Sequence, residues 1–522
     1  MAWIEINQLT YSIKDRNLFS IEHLKVEPGD KIGLVGKNGS GKTTLLNILK
    51  GTIQPDTGTI KRLQTITMIP QLKETIDTKS GGEVTANAII NSLNEKAGIL
   101  FADEPTTHLD VEHVEWLEKE IIAYKGAHII ISHDRDFLDH TCNKVWELSN
   151  EEIKEFTGNY SAYEEIKQKE HKRQQNAYDS YRKKEKQLQE AKEKKEQQAD
   201  RATKKPSNVS GSEARIAGSV PYFQKKAKKL HKTASSIDKR IDQLEAVDRP
   251  EAIEPVKMKL TNAKGFINKK IIRANDFGIR FGQKILFKPT SFYIKGGEKV
   301  AIVGANGSGK TTLLKHILAE SEGITISPAM KVGYFAQDLS VLKEDQTILQ
   351  NVQEGSKQSE TLIRIVLAQL LFKKDDVYKP IHVLSGGERV KVALAKLLVG
   401  DFNTLVLDEP TNFLDTQAIE ALESLLREYE GSLLVVSHDR RFMNKVANRL
   451  MIIEENQLKT FEGRYEDYKN TTSRQSPDKQ EEELMRLENE IVKVLSQLSI
   501  EPSAELEQTF QELLKAKKQL MN

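Results

Sequence analysis

The sequence predicts an α/β protein: two similar modules with parallel sheets, joined by a long α-helical hairpin and followed by a C-terminal helical hairpin. Three observations carry this expectation. One set of motifs occurs twice along the 522 residues. An apolar run of strand length precedes the key motifs in both copies. Residues 165–205 are helix-forming, with no Gly or Pro. A chain of this length also exceeds what one hydrophobic core supports.

The first module spans residues 1–164 and the second 271–470. Gly36-Lys37-Asn38-Gly39-Ser40-Gly41-Lys42-Thr43 returns as Gly304-Ala305-Asn306-Gly307-Ser308-Gly309-Lys310-Thr311, an offset of 268. Three further motifs return at an offset of 305: Ser80-Gly81-Gly82-Glu83 as Ser385-Gly386-Gly387-Glu388, Asp103-Glu104-Pro105-Thr106 as Asp408-Glu409-Pro410-Thr411, and Ser132-His133-Asp134-Arg135 as Ser437-His438-Asp439-Arg440. The second module thus holds 37 more residues between its first and second motifs. Eight residues separate Gln71 from Ser80, against 47 between Gln337 and Ser385, so the first module is expected to lack most of a helical subdomain.

Residues 165–256 read as a hairpin linker. Its first helix runs to about residue 205 and would reach on the order of 60 Å. Pro206, Gly211, Gly218 and Pro221 break it, and a second helix over 223–247 places Leu230, Ile237, Ile241 and Leu244 on one face. Residues 475–522 repeat the plan on a small scale, with a helix through Leu484, Leu487, Ile491 and Leu495 and a break at Pro502.

Composition excludes several classes. Charged residues are 30% of the chain and apolar ones 38%, the mean hydropathy is −0.52, and no apolar run approaches the ~20 residues that span a bilayer. No basic segment followed by an apolar one opens the sequence, so no secretory signal is expected. The single cysteine, Cys142, leaves no disulfide framework or cysteine metal site and suits a reducing cytosol. The eleven histidines show no zinc spacing.

Segments 36–43 and 304–311 both fit G-x-x-x-x-G-K-[ST], each after an apolar strand and at the start of a helix. In that setting the backbone of Gly36, Asn38, Gly39 and Gly41, and of Gly304, Asn306, Gly307 and Gly309, converges on phosphate oxygens, helped by the helix dipole. Lys42 and Lys310 would reach the terminal phosphates of a bound nucleotide. Thr43 and Thr311 would hold Mg²⁺, with Thr44 and Thr312 beside them. Asp103 and Asp408 end apolar strands, where an Asp can enter the Mg²⁺ shell and the adjacent Glu104 or Glu409 can orient the attacking water; alone, either pair would read as surface acids. His133 and His438 also follow apolar strands. Each is a γ-phosphate contact or a structural hydrogen-bonding residue, and the repetition favours the first.

These motifs, with Gln71 and Gln337 in place, occur in the same order twice. They resemble the nucleotide-binding domains of ATP-binding cassette (ABC) proteins across both modules. The resemblance implies two tandem ABC ATPase (P-loop) domains folded into one head-to-tail sandwich within a monomer. ATP would occupy two composite sites, one joining Lys42 to Ser385-Gly386-Gly387 and the other joining Lys310 to Ser80-Gly81-Gly82. Gln71 and Gln337 would complete the Mg²⁺ shells. Phe281 suits stacking on adenine in the second module; the aligned residue in the first is Ile13, with Tyr11 a possible substitute. Position 79 departs from the pattern, with Lys79 where the second module has Leu384.

Residues 165–250 hold 23 basic against 13 acidic residues, a net of +10, and residues 201–232 hold nine against one. A basic hairpin on a near-neutral body is the footprint of a phosphate-backbone partner, where a merely solvated helix would balance its charges. The tip carries Val209, Ile216, Val220, Tyr222 and Phe223. These residues either stack on splayed RNA bases or pack the ends of the two helices together.

Tandem cassettes without a membrane span resemble the ABC-F class, which works on ribosomes, and most closely its antibiotic-resistance members of the Vga type. That resemblance implies a cytoplasmic, ribosome-associated factor that binds the E site of the 70S ribosome, contacts 23S rRNA and P-site tRNA, and frees the peptidyl-transferase centre of lincosamides, streptogramin A and pleuromutilins. Housekeeping members often carry an arm inside the first cassette, which eight residues cannot encode. The rival readings are a drug-independent translation factor, an efflux ATPase with a membrane partner, and a DNA-repair ATPase whose coiled coil would normally interrupt one cassette.

Overall fold

The computed structural model describes residues 1–69, 89–90, 92–93, 95, 97–107, 109–203, 219–244, 267–282, 284–336, 339, 341–372, 374–475 and 510, with backbone alone at 202–203, 219–224, 284 and 472–475. Each module holds two sheets. In the first, Ile4–Ile13 lies between Arg16–Val26 and Thr57–Arg62 in an antiparallel sheet. In the second, Lys270–Phe281 lies between Lys284–Lys295 and Ile324–Ile326.

The larger sheet of the first module has six strands in the order Ile66–Ile69, Ile99–Asp103, Ala127–Ile131, Lys31–Gly36, Lys144–Ser149, Glu152–Thr157. The second repeats it as Val332–Phe335, Thr404–Asp408, Ser432–Val436, Lys299–Gly304, Arg449–Glu454, Gln457–Glu462. Neighbours pair in parallel except for the last strand of each sheet. Ile99–Asp103 and Thr404–Asp408 are buried at every residue; strands covered on both faces read as continuous apolar runs. The strand before each phosphate loop sits inside the sheet, where reversal of strand order opens a crevice at the carboxyl ends.

The linker is an antiparallel pair of helices, Tyr160–Thr203 and Ser219–Asp242. Ala227, Leu230, Ala234, Ile237 and Ile241 follow alternating steps of three and four, the spacing of a coiled-coil seam. Ala227 and Ala234 are buried, as is Ala199 on the first helix, and Lys192 pairs with Asp238 at 2.7 Å. The seam is therefore narrow, with alanines bringing the two backbones together.

Two sequence expectations shift. The first helix begins at Tyr160 rather than beyond residue 164, because Asn159 accepts the Ala162 N–H at 3.1 Å and Tyr160 is buried against the module. The second begins at Ser219, so Pro221 sits in its first turn, where a missing N–H costs little, and does not break it. It ends at Asp242, leaving Leu244 beyond it. Val209, Ile216, Gln71, Gln337, Ser80, Gly81, Gly82 and the C-terminal extension apart from residues 475 and 510 lie outside the described residues; Val220, Tyr222 and Phe223 are described in backbone only, within the second helix.

Candidate nucleotide sites

Both phosphate loops fold alike. Gly41 and Gly309 precede helices Lys42–Lys50 and Lys310–Leu318 with φ of 101° and 100°, a left-handed conformation that favours glycine. A Cβ on Gly309 would also stand 2.8 Å from Phe287 and 2.9 Å from Leu286. Lys42 curls back so that its ammonium donates to the carbonyls of Gly36 and Lys37 at 2.7 and 3.1 Å. Lys310 does the same to Gly304 and Ala305 at 2.8 and 3.1 Å. Burial lowers the pKa of both lysines against the pull of nearby acids, Glu104 and Glu409 first among them.

The acids gather at the strand ends beside these loops. Asp103 bonds to Thr43 and Asp408 to Thr311, and desolvation raises both carboxyls. Glu104 and Glu409 have φ of 50° and 51°, costly for a non-glycine residue, and such strain clusters at functional sites. The Glu104 N–H donates to Ile131 O and that of Glu409 to Val436 O, each at 2.9 Å, so the neighbouring strand holds the turn in place. His133 Nε2 lies 3.4 Å from Glu104 Oε1, and His438 Nε2 lies 3.3 Å from Glu409 Oε1. Burial holds Glu409 up to about 7 and, with Lys310 nearby, holds His438 down to about 3. His438 is therefore neutral at physiological pH.

The modules meet head to tail. Asp415 caps helix Thr416–Glu428 with one oxygen, accepting the Ala418 N–H at 2.9 Å, and its other oxygen accepts the Asn38 N–H of the first phosphate loop at 3.3 Å. Asp110 is its mirror: it caps helix Val111–Ala123 through the His113 N–H at 3.0 Å and accepts the Asn306 N–H of the second loop at 2.9 Å. Asn38 also donates to Phe413 O at 3.1 Å and contacts His133 Nε2 at 3.2 Å. Ser385 starts helix Gly386–Val399 with a capping box closed by Glu388. A Cβ on Gly387 would meet Phe413 O at 2.5 Å and Asn38 Nδ2 at 3.5 Å. The missing side chain thus makes room for the Phe413 carbonyl of its own module, and Asn38 of the first phosphate loop packs beside it. The structure thus sets Asn38 of the first loop beside Gly387; the partners of Lys310 at 80–82 lie outside the described residues.

Arg135 and Arg440 follow the two Ser-His-Asp runs and reach across the interface in exchange. Arg135, 0% exposed, pairs with Glu423, and Arg440 pairs with Glu118. Arg441 and Lys469 add pairs to Glu164 and Glu115. Asp110, Asp415 and these arginine–glutamate pairs stand outside the residues expected from sequence. The aspartates carried a usable signal, since Leu109-Asp110 returns as Leu414-Asp415 at the same offset of 305. Phe281 is 59% exposed at the end of its strand and free to stack, whereas Tyr11 packs on Phe19 with ring centroids 6.1 Å apart, leaving Ile13 as the exposed residue.

The polar groups fit Mg²⁺-ATP. Asp103 Oδ2, Glu104 Oε1, Glu409 Oε1, Ser40 Oγ and Ser308 Oγ are buried without a hydrogen-bond partner, a costly condition that a bound group relieves. Thr43 with Asp103, and Thr311 with Asp408, supply hard oxygen donors. No cluster of three or more His, Cys, Asp or Glu side chains that could hold a metal occurs among the described residues.

A family profile described as ABC transporter matches residues 20–76 and 287–412. The chain is 32% identical to "Ribosome protection protein VmlR" of Bacillus subtilis (strain 168), over 99% of this chain and 98% of that one. It is 33% identical to "Erythromycin resistance ATP-binding protein MsrA" of Staphylococcus epidermidis, over 85% of this chain and 96% of that one. Its fold is similar to the archaeal ribosome recycling factor aABCE1, solved in complex with ribosomal stalk protein aP1 (TM-score 0.59, 20% identity, 89% of this chain and 92% of that one). It is similar also to RNase-L Inhibitor (TM-score 0.59, 19% identity, 88% and 90%). Fold and site together define a tandem ABC ATPase. Within that class, the chain belongs to the ABC-F family of ATP-binding proteins. Among the described residues no helix is long and apolar enough to cross a membrane.

Proposed function

We propose that the protein protects ribosomes as an ATP-gated wedge. ATP bound at both composite sites holds the modules together. The closed protein enters the E site of the 70S ribosome in the cytoplasm, its hairpin lies along 23S rRNA and P-site tRNA, and the tip dislodges lincosamides, streptogramin A and pleuromutilins from the peptidyl-transferase centre, the specificity of the Vga type. Glu104 and Glu409 orient the attacking water, and His133 and His438 contact the γ-phosphate. Thr43 with Asp103, and Thr311 with Asp408, would hold Mg²⁺, which would supply positive charge against the phosphates. Hydrolysis loosens the interface and releases the protein.

The observation that carries this reading is a 44-residue helix continuous with the first module, leading into a basic tip and rooted where the modules touch. The names of the two relatives, one a ribosome protection protein and one an erythromycin-resistance protein, support it. The test is an in vitro translation reaction inhibited by lincomycin or tiamulin, with purified protein and ATP titrated in. Rescue is expected. Failure to rescue, with ribosomes still retaining the Glu104→Gln/Glu409→Gln protein, would establish the drug-independent translation factor instead.

A further inference from the structure

The two antiparallel sheets are one fold used twice, and their charges have diverged. Residues 2–31 hold four basic and five acidic residues, a net of −1; their counterparts 270–299 hold seven and two, a net of +5. The divergence concentrates on one face. In the first sheet Glu5 lies between Lys25 and Lys61, and the Lys25–Glu5 ion pair is 3.7 Å long. At the matching place in the second, Arg273 lies between Tyr293 and Thr325.

Nearby, Lys270 lies directly opposite Lys295. Like charges facing each other across a sheet are destabilising, and the first module has Ala2 and Glu27 at those positions. The Lys270 ammonium stands 4.3 Å over the Tyr293 ring and that of Lys295 5.6 Å from its centre. Local acids do not quench them: Glu298 and Glu462 pair with Arg449 at 2.9 and 3.2 Å. Among the described residues Lys270, Arg273 and Lys295 form no ion pair.

We propose that this face of the second module docks the phosphate backbone of structured RNA, a contact separate from the hairpin. A surface carrying a planar guanidinium and two ammonium groups without ion pairs suits a repeating line of phosphates, which requires charge more than shape. An unfavourable lysine pair retained in one copy of a duplicated sheet, and absent from the other, marks a surface kept for a partner. The inference takes ribosomal RNA as the source of that backbone from the proposed function, but its chemistry is tested without it.

The experiment compares the full chain with its Lys270→Glu/Arg273→Glu/Lys295→Glu variant on three probes: a short fluorescent RNA duplex of arbitrary sequence over a KCl series, purified 70S ribosomes with ATP, and phosphatidylserine vesicles. The expected result is duplex affinity lowered by about tenfold, with the log–log salt slope shallower by about two to three, near one per lost phosphate contact. Unchanged duplex affinity and slope overturn the proposal whatever the ribosomes do. So does a loss confined to vesicles, which would assign the face to lipid headgroups. If neither protein binds ribosomes but the duplex result holds, the RNA surface stands and the ribosome reading falls. If both bind ribosomes equally while the duplex result holds, the surface stands and its ribosomal source falls. None of the three residues lines the nucleotide cleft, so ATP turnover and the melting temperature check folding. Should the reversal variant not fold, the Lys270→Gln/Arg273→Gln/Lys295→Gln variant is read in the same way, with a smaller slope change.

Discussion

Glu409 joins two unusual properties in one side chain. Its backbone is strained into the left-handed region, and its buried carboxyl is held near neutrality. A water-orienting base must be ionised, so turnover at the second site is expected to rise between pH 6 and 8 with a midpoint near 7. Glu409→Gln should lower turnover by about 10²–10⁴ and abolish that rise, measured by phosphate release. Stability moves the other way. The folded pKa lies above the ordinary glutamate value of 4.5, so between the two the folded state binds more protons, and nucleotide-free protein loses stability as pH rises through that window. Thermal melts of the Glu409→Gln variant should lack this component.

At the scale of elements, caps and seams carry the site. Asp415→Ala should remove a helix cap worth about 1 kcal/mol and also the carboxylate that accepts the Asn38 N–H. Its loss should therefore weaken ATP-dependent closure more than it lowers the melting temperature, whereas an exposed cap elsewhere would affect the melt alone. In the linker, Ala227→Glu/Ala234→Glu should unzip the hairpin, seen as lost helical circular dichroism, while ATP binding is unchanged. What sequence could show at this scale follows from range. Phosphate loops, acidic strand ends and the long helix are local patterns, and the sequence displays them. Ser385 to Glu388 is a capping box by spacing alone. Arg135 and Glu423 lie 288 residues apart, and no local rule pairs them. Pro221 was misleading for a different reason: proline breaks helix interiors but is welcome in first turns.

Across the whole molecule, the paired arginines make closure a two-sided event. Arg135 finds its carboxylate in the second module and Arg440 finds its own in the first. Removing one partner of a buried pair typically costs about 3–5 kcal/mol, because the other charge is left uncompensated. Glu423→Met and Glu118→Met should each reduce the closed fraction at saturating ATP, measured by small-angle scattering, with the nucleotide cleft itself intact. Since both changes act on one interface, their combination should depart from additivity.

The root of the hairpin gives this interface mechanical leverage. Helix Tyr160–Thr203 is 44 residues long, about 66 Å at 1.5 Å per residue, and Glu164, in its first turn or so, is clasped by Arg441 of the opposite module. The clasp sits at the fulcrum of a long beam. A rotation of about 10° there, small beside the domain movements proteins commonly make, would sweep the far end through about 11 Å. Angstrom-scale changes around a phosphate group would thereby become nanometre-scale strokes at a distance, a gear ratio set by the length of one uninterrupted helix.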